Sequence, residues 1–128
     1  YALHLRDLGY PVNMVNAGAA SSHPNTDSEG PGFENFKAEM YWSFRKALEA
    51  GEVHGIRDVE TQRQLKATRY GNTPRGKVAI ESKPDYRKRV GGSPDRAEAV
   101  IMAFLPPVRT DALVGWEMDS MEKESIWR

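Results

Sequence analysis

The sequence predicts an α/β fold, in which helices pack against a sheet, and three observations support this prediction. A helix pattern that ends at a glycine is followed by a segment that alternates apolar and polar residues, which is the order of the second half of a βαβ unit. Four further helix patterns and one hairpin pattern follow along the chain. The length of 128 residues suits a single domain with one hydrophobic core.

The beginning of the chain supplies the first helix and the first strand of this prediction. The residues from Ala2 to Leu8 predict a helix that ends at Gly9, and those from Pro11 to Asn16 predict a short strand. The strand that would precede this helix in a βαβ unit is expected upstream of the chain. Small and polar residues from 17 to 32 predict a long loop, in which we expect His23 to be an exposed histidine rather than a metal ligand.

The clearest helix pattern spans Asn35 to Ala50, with Asn35 as its N-cap and Gly51 at its end. A stripe of apolar residues along this helix is expected to face the core, and it consists of Phe36, Met40, Tyr41, Phe44, Ala47 and Leu48.

A short edge strand is expected from Val53 to Ile56. After it, Asp58 to Ala67 predicts a helix that Asp58 caps and whose core-facing residues are Val59 and Leu65.

A turn rich in glycine and proline, residues 71–76, predicts a hairpin between Tyr70 and a strand from Lys77 to Glu81. The segment from Pro84 to Val90 predicts a short basic helix that starts at a proline and ends at Gly91 and Gly92. In the predicted hairpin, two apolar residues share one face of the second strand, and they are Val78 and Ile80.

The last helix is predicted from Ser93 to Leu105, with Ser93 as N-cap, Pro94 at the first helical position and Pro106-Pro107 beyond the end. A rotation of about 100° per residue places its apolar residues on one side, and we expect this core face to consist of Ala97, Val100, Ile101 and Phe104.

Asp95 and Glu98 fall outside this apolar arc and are expected to point away from the core. Acids in the first turn of a helix complement its dipole, and this is the simplest explanation of the pair. A two-metal site requires three or four convergent carboxylates, by the general chemistry of such sites. On their own, Asp95 and Glu98 therefore do not make such a site.

The composition excludes several classes of protein. The chain has no cysteine, which excludes disulfide scaffolds, cysteine-based zinc sites and a cysteine nucleophile. No apolar run approaches the roughly 18 residues of a membrane span. The predicted domain covers residues 1–105, and residues 106–128 form an acidic tail that is either disordered or docked through Trp116 and Trp127.

Charge is distributed unevenly along this neutral chain. The segment from Arg63 to Arg96 holds ten basic and three acidic residues and so carries a net charge of +7, while the chain as a whole has a net charge of zero. A basic middle segment predicts a surface that faces a polyanion such as nucleic acid. The alternative is a solvated face with scattered lysines and arginines.

Four segments in a fixed order carry a resemblance to a known family: Phe33–Trp42, Gly76–Lys83, Tyr86–Arg89 and Ser93–Ala99. Together they resemble the C-terminal nuclease domain of tailed-phage terminase large subunits, the DNA-packaging motor proteins. The resemblance covers most of residues 3–105. It implies an RNase H-like fold, a mixed sheet flanked by helices, whose first strands would lie upstream of Tyr1 together with the first two acids of the family. It also implies two bound Mg²⁺ or Mn²⁺ ions.

The resemblance also assigns roles to individual residues. The last catalytic, metal-binding acid of the family corresponds to Asp95, and Glu98 stands where the family usually has a second metal-binding aspartate. Lys83 is expected to contact the scissile region or the acids, or else to be a surface lysine. The basic residues of the short helix would bind DNA phosphates, and they are Arg87, Lys88 and Arg89.

The expected function is therefore that of part of a terminase, whose Mg²⁺- or Mn²⁺-dependent endonuclease cuts concatemers of double-stranded DNA in the cytoplasm of the bacterial host. The resemblance implies the terminase small subunit and the portal protein as partners, and no membrane. The ATPase motor lies elsewhere, and we expect this chain alone to be inactive. The first alternative is a non-catalytic module that binds DNA or a partner protein through the basic 63–96 segment. The second is a small structural domain without a ligand.

Overall fold

The computed structural model describes residues 2–25 and 30–105, except for the side chain of Ala2. Within these residues, the regular structure consists of helices and a small two-stranded antiparallel sheet, which agrees with the predicted α/β class. None of the described helices is long and apolar enough to cross a membrane. The predicted proline stop and the acidic tail lie outside the described residues. The elements in chain order are α1 (Ala2–Asp7), α2 (Phe36–Glu49), α3 (Val59–Ala67), β1 (Tyr70–Asn72), β2 (Val78–Ile80), α4 (Lys83–Val90) and α5 (Asp95–Ala103).

Helix α2 forms the centre of the main core. It begins as predicted, because the Asn35 side chain accepts a hydrogen bond from the backbone N–H of Ala38 at 3.0 Å. Its buried residues pack against Ile101 of α5, and they are Met40, Tyr41 and Phe44. The prediction for Leu48 is wrong. Leu48 is 42% exposed, and it lines an open surface pocket beside Leu65 instead of entering the core.

The predicted hairpin is confirmed. Strands β1 and β2 pair in antiparallel register, with Tyr70 opposite Ile80 and Asn72 opposite Val78. The backbone of Val78 also forms a parallel bridge to Phe33 on its other side, where it accepts a hydrogen bond from Glu34 N–H at 2.9 Å. Strand β2 therefore lies between β1 and the segment that enters α2, which ties the hairpin to the main core.

Two predicted strands do not form. Neither Pro11–Asn16 nor Val53–Ile56 is a strand in the structure. The sheet of the described residues consists of β1 and β2 alone, so neither segment has a neighbouring strand to complete a ladder. In addition, Gly55 has a φ of 81°, a left-handed conformation that interrupts the extended chain. Half-buried Val15 and Val53 nevertheless pack against the core, so the alternation of apolar residues reflects burial without strand pairing.

Helices α3 and α5 are joined by two unexpected hydrogen bonds to one side chain. Asp58 caps α3 as predicted, but Val59 is 78% exposed, so its predicted place in the core is wrong. The buried residue that joins the two helices is Gln64, whose Oε1 accepts hydrogen bonds from the backbone N–H groups of Arg96 at 3.0 Å and Ala97 at 3.1 Å. Gln64 thus satisfies the free amides at the start of α5.

These two hydrogen bonds replace the predicted cap of α5. The helix begins at Asp95, one residue later than expected, and neither Ser93 nor Pro94 caps it through a side chain. The helix ends at Ala103. Ala97 and Ile101 are buried as predicted, but Phe104 is 47% exposed. Phe104 lies at the edge of the core, where its ring packs edge to face against that of Phe44, with 5.1 Å between the ring centroids.

Helix α4 follows the hairpin along the chain and is joined to α5 by the ion pairs of Lys83 with Asp95 and Glu98. It begins at Lys83, with Ser82 as N-cap and a proline in its first turn. It ends as predicted at Gly91, whose φ of 86° is the left-handed conformation typical of helix ends. Tyr86 is only 1% exposed and anchors the helix, while Arg87 and Lys88 of its last turn are exposed.

Candidate functional site

The first turns of α4 and α5 bring one lysine against two carboxylates. The Nζ of Lys83 lies 2.6 Å from Glu98 Oε2 and 3.4 Å from Asp95 Oδ1. Asp95 is 72% exposed by its side chain and Glu98 only 12%. The structure therefore brings together the three residues that the sequence singled out in this region, with the ammonium group between the acids.

The prediction that Glu98 points away from the core is wrong. Its carboxylate is buried beneath α2, where Lys37 Nζ lies 3.8 Å from Glu98 Oε1. Lys37 also donates a hydrogen bond to the backbone oxygen of Glu81 at 3.1 Å. Helix α5 packs against both α2 and α3, so the part of its surface that is buried is wider than the apolar stripe and includes Glu98. The ammonium groups of Lys37 and Lys83 offset the cost of burying the Glu98 charge.

Tyr41 completes the buried side of the cluster. Its hydroxyl group is buried and lies beside the Glu98 carboxylate, with which it interacts as a hydrogen-bond donor. Burial and the neighbouring negative charge raise the pKa of Tyr41. Its hydroxyl group therefore stays protonated, as a polar group held beside the carboxylate.

The exposed side of the cluster is strongly ionised. A hydrogen bond from the Ser93 hydroxyl at 2.6 Å, together with Lys83, lowers the pKa of Asp95. Hydrogen bonding to Glu98 raises the pKa of Lys83, although partial burial opposes this effect. By contrast, burial lowers the pKa of Lys37 despite the nearby Glu98. Lys83 and Asp95 therefore face each other as a charged pair near neutral pH.

The three predicted phosphate-binding residues differ in whether their side chains are free to contact DNA or already bound within the protein. Arg89 is held within the fold, since its guanidinium group donates to the backbone oxygen of Ala67 at 2.6 Å and pairs with Glu81. The side chains of Arg87 and Lys88 are exposed and pair with no acid of the described residues. Arg87 lies close enough to Asp95 to help lower the pKa of that carboxyl group. Arg87 therefore lies near the acid pair, and Lys88 is a second exposed cation of the same helix.

The donor set fits part of a divalent cation site. Mg²⁺ and Mn²⁺ prefer oxygen ligands, and here two carboxylates converge on one cationic group. Across residues 2–25 and 30–105, no group of three or more histidine, cysteine, aspartate or glutamate side chains could hold a metal ion. Asp95 and Glu98 therefore account for one edge of a cation site, and a two-metal site needs further ligands.

Sequence reasoning did not identify Lys37 or Tyr41 as site residues. Both belong to the Phe33–Trp42 segment, which carries part of the resemblance, and they stand four residues apart on α2. Residues at that spacing share one helix face, so the pair could have been found as a polar edge beside the apolar stripe. Its partner Glu98 lies 57 or more residues further along the chain, and no local pattern reveals that contact.

Outside this cluster, His23 is exposed, as predicted. Its Nδ1 lies 3.3 Å from Glu39 Oε1, and the same carboxylate accepts hydrogen bonds from Ser21 and Ser22. These contacts bind the loop segment 21–23 to Glu39 of α2.

No protein-family model matches this chain, and no curated protein matches it significantly. The functional proposal therefore depends on the geometry of the cluster and on the resemblance of the four segments.

Proposed function

We propose that this chain is part of the metal-dependent nuclease domain of a phage terminase large subunit, of RNase H-like fold, which cuts concatemers of double-stranded DNA. One observation carries the proposal. Two carboxylates, those of Asp95 and Glu98, converge on one cationic group of α4, and the exposed Arg87 of the same helix lies near Asp95. A nuclease needs this combination, because it must hold a divalent cation and a phosphate backbone next to each other.

In this proposal the acids bind the divalent cation, and the exposed basic residues of α4 bind DNA. Asp95 and Glu98 would hold Mg²⁺ or Mn²⁺, with the remaining ligands supplied from outside the described residues. A bound divalent cation supplies Lewis-acid stabilisation of the phosphodiester and activation of water. Ser93 orients the Asp95 carboxylate through its hydrogen bond, while Arg87 and Lys88 bind phosphate oxygens without reading the base sequence.

A second candidate is a non-catalytic DNA-binding module. Lys83 already neutralises the acid pair, and the described residues supply no third ligand for a metal. In such a module the acids would serve only to fix α4 against α5. The exposed cations would bind DNA in the same way in both cases, so DNA binding alone does not separate the two functions.

The effect of Mn²⁺ on DNA affinity separates them. We would measure the anisotropy of a labelled DNA duplex with the full chain, with and without Mn²⁺ at constant ionic strength. The nuclease proposal predicts tighter binding in Mn²⁺, and predicts that Asp95→Asn abolishes this gain. Asp85→Asn is the matched control, because Asp85 is an exposed acid on α4 that pairs with Ser82 instead of the cluster. An affinity that is independent of Mn²⁺ would favour the binding module.

The same proteins can be incubated with supercoiled plasmid. We expect little or no cleavage by the chain alone, because two carboxylates do not complete a two-metal site. Robust Mn²⁺-dependent cleavage that Asp95→Asn abolishes would show that the chain holds a complete site, contrary to this account.

A further inference from the structure

The pocket that Leu48 lines combines exposed apolar side chains with cationic ones. Residues of α2, α3, β2 and α5 meet there, and Leu65, Ile80 and Ile101 are among the apolar residues that line it. The pocket has a volume of about 260 Å³, and two of its side chains, those of Leu48 and Tyr70, are 42% and 53% exposed. We call this cavity the Leu48 pocket. Exposed apolar side chains that line one pocket are typical of a binding site.

Two arginines line the same pocket, and their partners differ. Arg45 pairs with Glu49 at 2.8 Å, and its guanidinium carbon lies 4.8 Å from the ring centroid of Trp42 and 5.2 Å from that of Tyr70. The side chain of Arg69 is exposed and forms none of the ion pairs within the described part of the chain. Because Arg45 already stacks on both rings, the pocket is a poor stacking platform for nucleic-acid bases. An acidic segment with an apolar anchor fits it better.

The tail of this chain, residues 106–128, contains such a segment. Trp116 is followed by eight residues, 117–124, of which four are acidic and one is a lysine. Trp127 is followed directly by a cationic residue, Arg128, which the positive charge of Arg69 would repel. Trp116 is therefore the tryptophan of the tail whose neighbours complement the charge of the Leu48 pocket.

The tail is long enough to reach the Leu48 pocket. Ile101 lines the pocket and stands four residues before Leu105, where the described chain ends. The eleven residues from Leu105 to Trp116 can span up to about 36 Å, and tethering raises the effective concentration of a segment to the order of mM. A larger pocket beside Leu105 has no basic residue among its described lining residues, so it does not complement an acidic segment.

We propose that the acidic tail docks onto its own domain, with the indole ring of Trp116 in the Leu48 pocket and the acids that follow it beside Arg69. Docking covers the exposed side chains of Leu48 and Tyr70. It also neutralises a cation that the acids of the described residues leave unpaired, so the tail reduces the positive charge of the 63–96 surface. The contact involves neither the acid pair nor α4, and it is therefore independent of the proposed function.

Fluorine NMR of the full chain labelled with 5-fluorotryptophan tests this proposal. The chain has three tryptophans, and Trp116→Phe and Trp127→Phe assign the three resonances. We expect the Trp116 resonance to show the small H₂O/D₂O isotope shift of a buried ring. Leu48→Asp, which places a negative charge in the pocket, should give Trp116 the full isotope shift of an exposed ring. Val59→Asp is the matched control, because Val59 is 78% exposed on α3 and does not line the pocket, and it should leave the Trp116 resonance unchanged.

A charge-reversal pair guards against a folding defect in Leu48→Asp. Arg69→Glu should release Trp116, because a negative charge would then face residues 117–124. Addition of Glu117→Arg to this variant should restore protection of the Trp116 ring from solvent. Arg75→Glu is the control, since it reverses the charge of an exposed arginine in the hairpin turn, outside the pocket, and should leave Trp116 protected.

A full isotope shift for Trp116 in the wild type would overturn the proposal. A protected Trp116 that neither Leu48→Asp nor Arg69→Glu releases would overturn it as well, because the ring would then be buried elsewhere. Protection of Trp127 in place of Trp116 would contradict the choice of anchor. Protection that disappears on dilution would show that the pocket binds the tail of a second copy rather than its own. None of these results depends on metal binding or DNA binding.

Discussion

Glu98 and Asp95 stand less than one helical turn apart, yet their surroundings differ. The Glu98 side chain is 12% exposed and contacts two ammonium groups, whereas that of Asp95 is 72% exposed. The two acids therefore contribute differently. Glu98 is part of the packing between α2, α4 and α5, and Asp95 is the accessible acid of the pair. Loss of charge should affect folding at the first position and ligand binding at the second.

Removal of the Glu98 charge is expected to destabilise the fold. Glu98→Gln leaves Lys37 and Lys83 without their carboxylate partner, and the loss of a charged, mostly buried hydrogen bond typically costs about 1–3 kcal/mol. Asp95→Asn should leave the stability nearly unchanged, because that side chain is exposed. The urea concentration at the unfolding midpoint should therefore be lower for Glu98→Gln than for the wild type, and nearly unchanged for Asp95→Asn. A neutral Glu98→Gln beside a destabilised Asp95→Asn would mean that the burial of the two acids is assigned the wrong way round.

Two substitutions of Tyr86 are expected to have different effects on the stability of the fold. The residue is 1% exposed, and its buried hydroxyl group has no hydrogen-bond partner among the described residues. Tyr86→Phe removes only this unsatisfied group and should be neutral or stabilising by up to about 1 kcal/mol. Tyr86→Ala should cost about 3–5 kcal/mol, as is typical of buried aromatic residues. Thermal melts distinguish the two. A clearly destabilised Tyr86→Phe would show that the hydroxyl group has a partner after all.

At the scale of the elements, local signals predicted the helices well. Asn35 and Asp58 cap their helices as expected, because the caps are formed by residues three positions away. Gly91 ends α4 in a left-handed conformation. These features depend on the chain within one turn, so the sequence contains all the information that they need. The same holds for the hairpin, whose turn joins strands that are five residues apart.

The predictions from sequence fail where contacts with a distant part of the chain determine the local structure. Gln64 of α3 satisfies the first amides of α5, and no pattern near Ser93 could show that the local cap would be replaced. The strand predicted from Pro11 to Asn16 lacks a neighbour, and strand pairing is a long-range property. In the site, the Asp95 position follows from its place in the helix, whereas the burial of Glu98 depends on Lys37, which lies in a different helix.

Asp58 links α3 to α5 and makes their docking sensitive to acid. Hydrogen bonds from the Thr61 side chain and backbone, and then from Arg96, lower the pKa of Asp58 from 3.8 to about 2. Because the pKa is lower in the folded state, this contribution to stability is present above the unfolded pKa and is lost as the pH falls from about 4 to about 2. Melting temperatures between pH 5 and pH 2 should therefore fall less steeply for Asp58→Asn than for the wild type. Parallel pH profiles would contradict this role.

At the scale of the whole molecule, folding reduces the basic surface that the sequence predicts. Several cations between Arg63 and Arg96 are engaged with acids of the described residues, and the pairs are Arg63 with Glu60, Lys83 with Asp95 and Glu98, Arg89 with Glu81, and Arg96 with Asp58. The net charge of +7 therefore overstates the field at the surface. The exposed cation shown to lie near the acid pair is Arg87 of α4, so the proposed DNA contact is centred on that helix.

The salt dependence of DNA binding tests the central claim, that α4 presents its free cations to DNA beside the acid pair. We would measure the affinity of the full chain for a duplex as a function of salt concentration. The double variant Arg87→Gln/Lys88→Gln should flatten the slope of log affinity against log salt by about 2, at ~0.9 per phosphate contact. The control Arg6→Gln/Arg57→Gln removes the same charge from two exposed arginines outside the 63–96 segment and should leave the slope unchanged. An unchanged slope in the α4 variant, or equal flattening in both variants, would contradict the account.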